Sequence, residues 1–304
     1  MSAQMSMSNK NGVEVYLKNA FVMLKSVQKH NADVDTAIVV NFTMSDFYRN
    51  LFESNNIAIY QIAFADYTMP PHFTWSLAFF KIAALKWITK NTEYEYTLQL
   101  ESDMICLSGL DDMWKELDVS ILTMYSHCRF DHPVRKKYSD AFNLIYPNEA
   151  NPVIVKTGAG FIAGKRDKLL HFVEACDEMY AVLKENLDKV DIKLGDEMYT
   201  SLYCAAYPHL VKPANPYVDV YWTGTFYFVS TNHHFDAVSV IHLPAEKEFG
   251  MLTLYDYFRR KGRLPDNKFI ARVMRFPSYF GPISLRRFYR RVRRKLKQYF
   301  GDYA

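Results

Sequence analysis

The chain has 304 residues, 49% hydrophobic and 16% aromatic, enough for one large domain or two small ones, and this excludes a disordered composition. Its four cysteines (Cys106, Cys128, Cys176, Cys204) lie far apart with no Cys-x-x-Cys spacing, which points away from a zinc ribbon and towards reduced thiols. The net charge of +4 hides an asymmetry: 15 Lys and Arg face one acid between Arg259 and Lys297, so that segment carries +14 and the rest −10.

The first residues, MSAQMSMSNKNG, are polar and lack an apolar signal core, and no uncharged apolar run reaches the roughly 18 residues of a membrane span. A cytoplasmic protein is expected. Leu17, Ala20, Phe21, Leu24 and Val27 fall at helical spacing within 13–30. TAIVVNF (36–42) reads as a buried strand, SDFYRNLFES (45–54) as a helix opened by Ser45, and IAIYQIAF (57–64) as a second strand. Two prolines make 65–72 a loop. A helix is expected over 75–90 and a strand over 95–100 (EYTLQL). Another strand follows at 119–126, then a long irregular stretch at 127–152 with some helix. VIVKTGAGFIAG (153–164) reads as extended, 165–187 and 195–206 as helices, and 217–229 and 237–243 as strands. Strands alternating with helices predict an α/β fold with a mainly parallel sheet, whose ligands bind at the carboxyl ends of the strands.

At the end of the 95–100 strand the sequence runs YTLQLESDMICLSG. Glu101 and Asp103 interrupt an apolar run, and charges inside a buried segment are costly unless something pairs with them. Placed on a turn just past a strand end, two carboxylates at i and i+2 can converge on one hard cation such as Mg or Mn, which keeps open positions for phosphate oxygens. By itself the pattern is more often that of an ordinary solvated turn.

Its surroundings are more specific. The stretch 79–114 resembles the core of the GT-A glycosyltransferases, in particular the family 8 branch that includes glycogenin and bacterial lipooligosaccharide galactosyltransferases. The matching pieces are Lys81 on its helix, the strand to Leu100, Glu101-Ser102-Asp103 in place of the DxD motif, Met104 to Leu107, and Leu110 to Trp114. TGAGFIAG (157–164), GDEMYTSLY (195–203) and VIHLPAEKEFG (240–250) look like later motifs of that family, in the same order. The resemblance covers roughly 15–250. It implies a Rossmann-like GT-A domain over 1–250, with a basic helical tail over 251–304.

The resemblance also implies roles. Glu101, Asp103 and His242 would hold Mn2+ or Mg2+. Lys81, Glu101, Ser102, Asp103, Thr157, Gly158, Ala159 and Lys247 would contact a UDP- or GDP-sugar donor. Asp196 and Glu197 would face the transferred sugar and a glycan or lipid-linked acceptor. Asp196 also suits a plain helix N-cap. Two departures stand out: Glu101 replaces the family's first Asp, and residues 1–12 contain no convincing opening strand.

Within 283–300, ISLRRFYRRVRRKLKQYF, an apolar stripe (Leu285, Phe288, Tyr289, Val292, Leu296, Tyr299) is wrapped in Arg and Lys. This is the pattern of a helix lying on an anionic membrane, here its cytoplasmic face, with a helix docked on the catalytic domain with solvated arginines as the alternative and nucleic acid as a lesser one. The rival readings are a catalytically inactive GT-A-like module recruited to membranes and a sugar-phosphate nucleotidyltransferase. The second lacks a Gly-rich basic loop near the N-terminus.

Overall fold

The structure, a computed structural model, describes residues 2–3, 10–70, 76–125, 133–150, 152–189, 195–221, 223, 237–275 and 292. In chain order the elements are β1 (Ser2–Ala3), α1 (Lys10–His30), β2 (Thr36–Val40), α2 (Asp46–Glu53), β3 (Ile57–Gln61), α3 (Phe80–Asn91), β4 (Tyr96–Leu100) and β5 (Met104–Cys106). Next come α4 (Asp111–Trp114), β6 (Ile121–Tyr125), α5 (Pro133–Ile145), β7 (Thr157–Lys165), α6 (Arg166–Glu185) and α7 (Glu197–Ala206). The described chain closes with β8 (Val211–Pro213), β9 (Val218–Val220), β10 (Val240–His242), α8 (Gly250–Lys261) and α9 (Asn267–Val273).

The strands form three sheets, ordered β1-β2-β3, β5-β10-β9 and β4-β7-β6-β8. Four of the seven described pairings are parallel and three antiparallel, so the α/β architecture is mixed with a parallel majority. The antiparallel pairings fall on β5 and β7, the two strands that assemble the acidic site.

Helices cover the sheets from two sides. Phe21 of α1 meets Phe52, Tyr255 and Phe258 edge-on in one apolar cluster. A second cluster joins α3, α6 and α7 through Phe80, Phe172, Met179, Leu202 and Tyr203. Burial of these side chains from water is the dominant stabilising contribution to such cores. The first cluster continues past residue 250, because Met251, Leu254, Ile270 and Met274 belong to it. α8 and α9 therefore share the core of the preceding residues.

Most expected elements form within a few residues of their predicted limits. The helix expected from Trp75 is described from a 3-10 turn at Ser76–Phe79 leading into α3. The stretch 127–152, expected to be mostly loop, contains the 13-residue α5. Its Tyr138, Ala141 and Phe142 lie on one buried face, and Pro133 sits in the first turn, where proline is tolerated. Of the strand expected over 217–229, Val218–Val220 is described as β9. The tail at 283–300 lies outside the described residues apart from Val292. No described helix is long and apolar enough to cross a membrane. Cys106, Cys176 and Cys204 are free thiols, and Cys128 is outside the described residues.

Candidate active site

β4 delivers its chain end to the site. After Leu100 the backbone turns, with the Met104 amide donating to the Glu101 carbonyl at 3.2 Å, and re-enters the core as β5. The turn carries Glu101, Ser102 and Asp103, of which Ser102 and Asp103 are buried. The antiparallel β5–β10 pairing sets Met104 opposite His242, and the Leu243 amide donates to the Asp103 carbonyl at 2.9 Å. Residues 139 positions apart thus meet through the β5–β10 ladder.

His242 Nε2 lies 2.9 Å from Glu101 Oε2 and 3.3 Å from Asp103 Oδ2. One ligand atom from each of the three residues fits within 4.8 Å of the other two. Two carboxylate oxygens and an imidazole nitrogen make a mixed hard and borderline donor set for a divalent cation. His242 Nδ1 is buried and has no hydrogen-bond partner among the described residues. The donor set and its convergence fit the expected metal.

Two lysines flank these acids, and a third pairs with Glu197 nearby. Lys81, in the first turn of α3, lies 2.5 Å from Glu101 and 2.6 Å from Asp196. Lys247, just past a 3-10 turn at Pro244–Glu246, lies 3.2 Å from Asp103, with its ammonium 5.5 Å from the Tyr16 ring centre. Lys156 lies 2.7 Å from Glu197. Burial works against charge on Lys81, yet Asp196 and Glu101 outweigh it and hold the amine well above its ordinary range. Burial likewise opposes ionisation of Glu101, but Lys81 and His242 hold its carboxyl well below the usual carboxylate range. Burial also disfavours a charged His242, yet Asp103 and Glu101 raise its pKa to about 10. For Asp196, burial pushes the carboxyl up more than Lys81 pulls it down.

Gly160 fixes how Glu101 lies. The Glu101 amide donates to the Gly160 carbonyl at 3.0 Å across the β4–β7 ladder. A Cβ at Gly160 would come within 2.8 Å of Glu101 Cδ and 2.9 Å of Oε2. A side chain at this position would push the Glu101 carboxylate from its place. Thr157, Gly158 and Ala159 precede it on β7 and are fully buried. The Thr157 amide donates to Ser201 Oγ at 2.9 Å, and Gln99 Nε2 donates to the Ala159 carbonyl at 3.3 Å.

Gly195 and Asp196 sit where the chain turns into α7. Gly195 has φ +65°, the left-handed region that glycine enters without strain. Asp196 stands at the N-cap position of α7, but its side chain makes no capping hydrogen bond and is committed to Lys81 instead. The N-cap role considered from sequence is not the one it plays.

The structure thus gathers Lys81, Glu101, Asp103, Asp196, His242 and Lys247 into one linked cluster, with Ser102 in its turn. Glu197 and Thr157 to Ala159 line the adjoining β7–α7 region. Lys156, Gly160 and Tyr16 went unassigned from sequence. Gly160 was visible only as one of three glycines in a strand, Lys156 as a cation before it, and Tyr16 carried no signal.

No protein-family model and no curated sequence matches the chain. Among solved structures, two of the galactosyltransferase LgtC superpose with a TM-score of 0.50 at 16% identity. One is an active-site mutant, aligned over 75% of this chain and 84% of that one. The other is a complex with donor and acceptor sugar analogs, aligned over 76% and 84%. The fold is GT-A. Mouse xyloside xylosyltransferase 1 in its apo form superposes more loosely, with a TM-score of 0.47 at 12% identity over 79% of this chain and 96% of that one.

Proposed function

We infer that the chain is a metal-dependent glycosyltransferase that moves a sugar from a nucleotide-sugar donor to a glycan or lipid-linked acceptor. The observation that supports this most is the convergence of Glu101, Asp103 and His242 at the carboxyl end of β4, with Lys81 and Lys247 beside them. A divalent cation held by these three side chains, Mn2+ or Mg2+, would neutralise charge on a diphosphate. The chain's own groups do the rest. Lys247, 3.2 Å from Asp103, would neutralise phosphate charge of the donor. Lys81 fixes Glu101 and Asp196 in one arrangement, so the ligand carboxylate needs no reorganisation when the donor arrives.

Asp196 and Glu197, where the chain enters α7, would face the transferred sugar and the acceptor hydroxyl. Thr157, Gly158 and Ala159 would flank the donor sugar, where small side chains leave room. The inactive-module reading rests on the opening segment, of which Ser2–Ala3 are described as a strand. Mn2+-dependent turnover of a panel of UDP- and GDP-sugars by the full chain separates the readings. Release of nucleoside diphosphate from one donor, lost in Asp103→Ala while the fold persists, supports the transferase. No turnover of any donor contradicts it.

The basic segment 283–300 extends the proposal. An amphipathic cationic helix there would hold the enzyme on the anionic cytoplasmic face of a membrane, beside a lipid-linked acceptor. Deleting 283–304 should abolish co-sedimentation with anionic liposomes. Unchanged co-sedimentation would exclude the tail as an anchor.

A further inference from the structure

β7 is one unbroken strand to β4 but two pieces to β6. With β4 it pairs in steady register, from Tyr96 opposite Lys165 to Leu100 opposite Phe161. With β6 the register jumps. Thr123 faces Ile162, and the very next residue, Met124, faces Gly158. Ala159, Gly160 and Phe161 are therefore extra on the β6 side and form a bulge. Bulges gather next to sites because they bend the strand and re-aim its side chains. This one contains Gly160, whose missing Cβ leaves the space that the Glu101 carboxylate occupies.

A bulge interrupts the ladder, and its buried backbone groups still need partners. The Gly160 carbonyl accepts the Glu101 amide at 3.0 Å, just past the end of β4. The Ala159 carbonyl lies in the stretch that β6 does not pair, and a side chain serves it: Gln99 Nε2 donates to it at 3.3 Å. Gln99 is buried and stands opposite Ile162 in the regular ladder, so its side chain reaches from that ladder into the bulge. Two carbonyls in succession are thus held from the β4 side, one by the Gln99 side chain and one by the Glu101 amide. The other end of the bulged stretch is fixed separately. The Thr157 amide donates to Ser201 Oγ at 2.9 Å, and Ser201 donates to the Glu197 carbonyl at 2.6 Å.

We propose that Gln99 is a positioning residue for the acidic turn. By holding the Ala159 carbonyl it fixes the shape of the bulge, and through Gly160 it fixes where the backbone and carboxylate of Glu101 lie. An apolar side chain of the same length would leave that carbonyl buried without its donor, which costs more than the hydrogen bond itself contributes. The bulge would shift to find another partner, and the Gly160 carbonyl would move with it, away from the Glu101 amide. The functional half of the proposal rests on the metal reading of Glu101, and the structural half does not.

Amide-resolved hydrogen exchange of the full chain without metal tests the structural half. Gln99→Met keeps length and approximate volume but has no donor. Ile162→Val trims the residue opposite Gln99 and serves as the control for general loosening. In Gln99→Met the Glu101 amide should exchange about five- to tenfold faster, the size of one lost hydrogen bond, while the amides of β2 change little. Ile162→Val should not single out Glu101. Gln99→Asn keeps the amide but falls a methylene short, so it should show the same local change and stands in if Gln99→Met does not fold. Mn2+ affinity of Gln99→Met should fall about tenfold, the low end for groups that orient metal ligands.

An unchanged Glu101 amide would overturn the proposal, and so would faster exchange spread evenly into β2 or matched by Ile162→Val, because Gln99 would then act by packing alone. Equal Mn2+ binding by the parent chain and Gln99→Met would overturn the functional half. A parent chain that binds no Mn2+ would sink the metal reading instead, and the exchange rates would still decide the role of Gln99.

Discussion

The two ends of β4 are built on opposite principles. Its carboxyl end turns into a cluster in which each buried charge has a counter-charge within 3.3 Å: Glu101 with Lys81 and His242, Asp103 with His242 and Lys247, Asp196 with Lys81. Its amino end borders a cavity lined mostly by apolar side chains, and among the described strands Tyr96 to Leu98 pair with β7 alone. At the first end the geometry is set by charge pairing before any ligand arrives, and at the second by apolar packing. Five residues of strand separate a site whose charged parts over-determine one another from an edge held by contacts without charge.

The largest effect should come from removing the cation shared by two acids. Lys81→Met leaves Asp196 without its counter-charge and Glu101 with His242 alone, which should cost about 3–5 kcal/mol of stability in a urea titration. Added Mn2+ should recover part of that loss, because a bound cation compensates Glu101. A loss below about 1 kcal/mol would mean that solvent screens the cluster and that it is not pre-set. Next is Asp103→Asn, which nearly keeps shape and should lower donor turnover about a hundred- to a thousand-fold.

Gly160→Ala sharpens the comparison, since it touches no ligand yet pushes on Glu101 at 2.8 Å. Mn2+ affinity should fall about 10- to 100-fold, as for other groups that orient metal ligands. An unchanged affinity would show that Glu101 can shift freely. At the amino end, Glu95→Gln should change stability by no more than about 0.5 kcal/mol, because Glu95 is exposed and its partner Lys165 also reaches Asp118 at 3.5 Å.

Much of the carboxyl end was legible from sequence. Two acids directly after an apolar run are an ordinary turn by themselves, and it was the ordered set of motifs from 79–114 to 240–250 that singled out Glu101, Asp103, His242 and Lys247. The β-branched runs at 36–40 and 96–100 placed their strands because their signal is local. What stayed hidden depends on register between distant strands. Gly160 matters only because β7 sets it beside Glu101, and Lys156 only because α7 opens next to β7. Asp196 looked like a helix cap from its position, and only the fold shows its side chain turned to Lys81. The short helix α5 was obscured by a polar context, although Tyr138, Ala141 and Phe142 already had helical spacing. Residues 1–12 gave no convincing strand in sequence, yet Ser2–Ala3 pair in parallel with Val39–Val40 as β1, a contact that depends on the position of β2.

Isothermal titration of Mn2+ into the full chain and into Asp103→Asn and His242→Ala tests the central claim most directly. The account predicts saturable binding of a single ion to the parent chain and its loss or severe weakening in both variants, with the fold intact by circular dichroism. Failure of the parent chain to bind Mn2+, or equal binding by both variants, would contradict it.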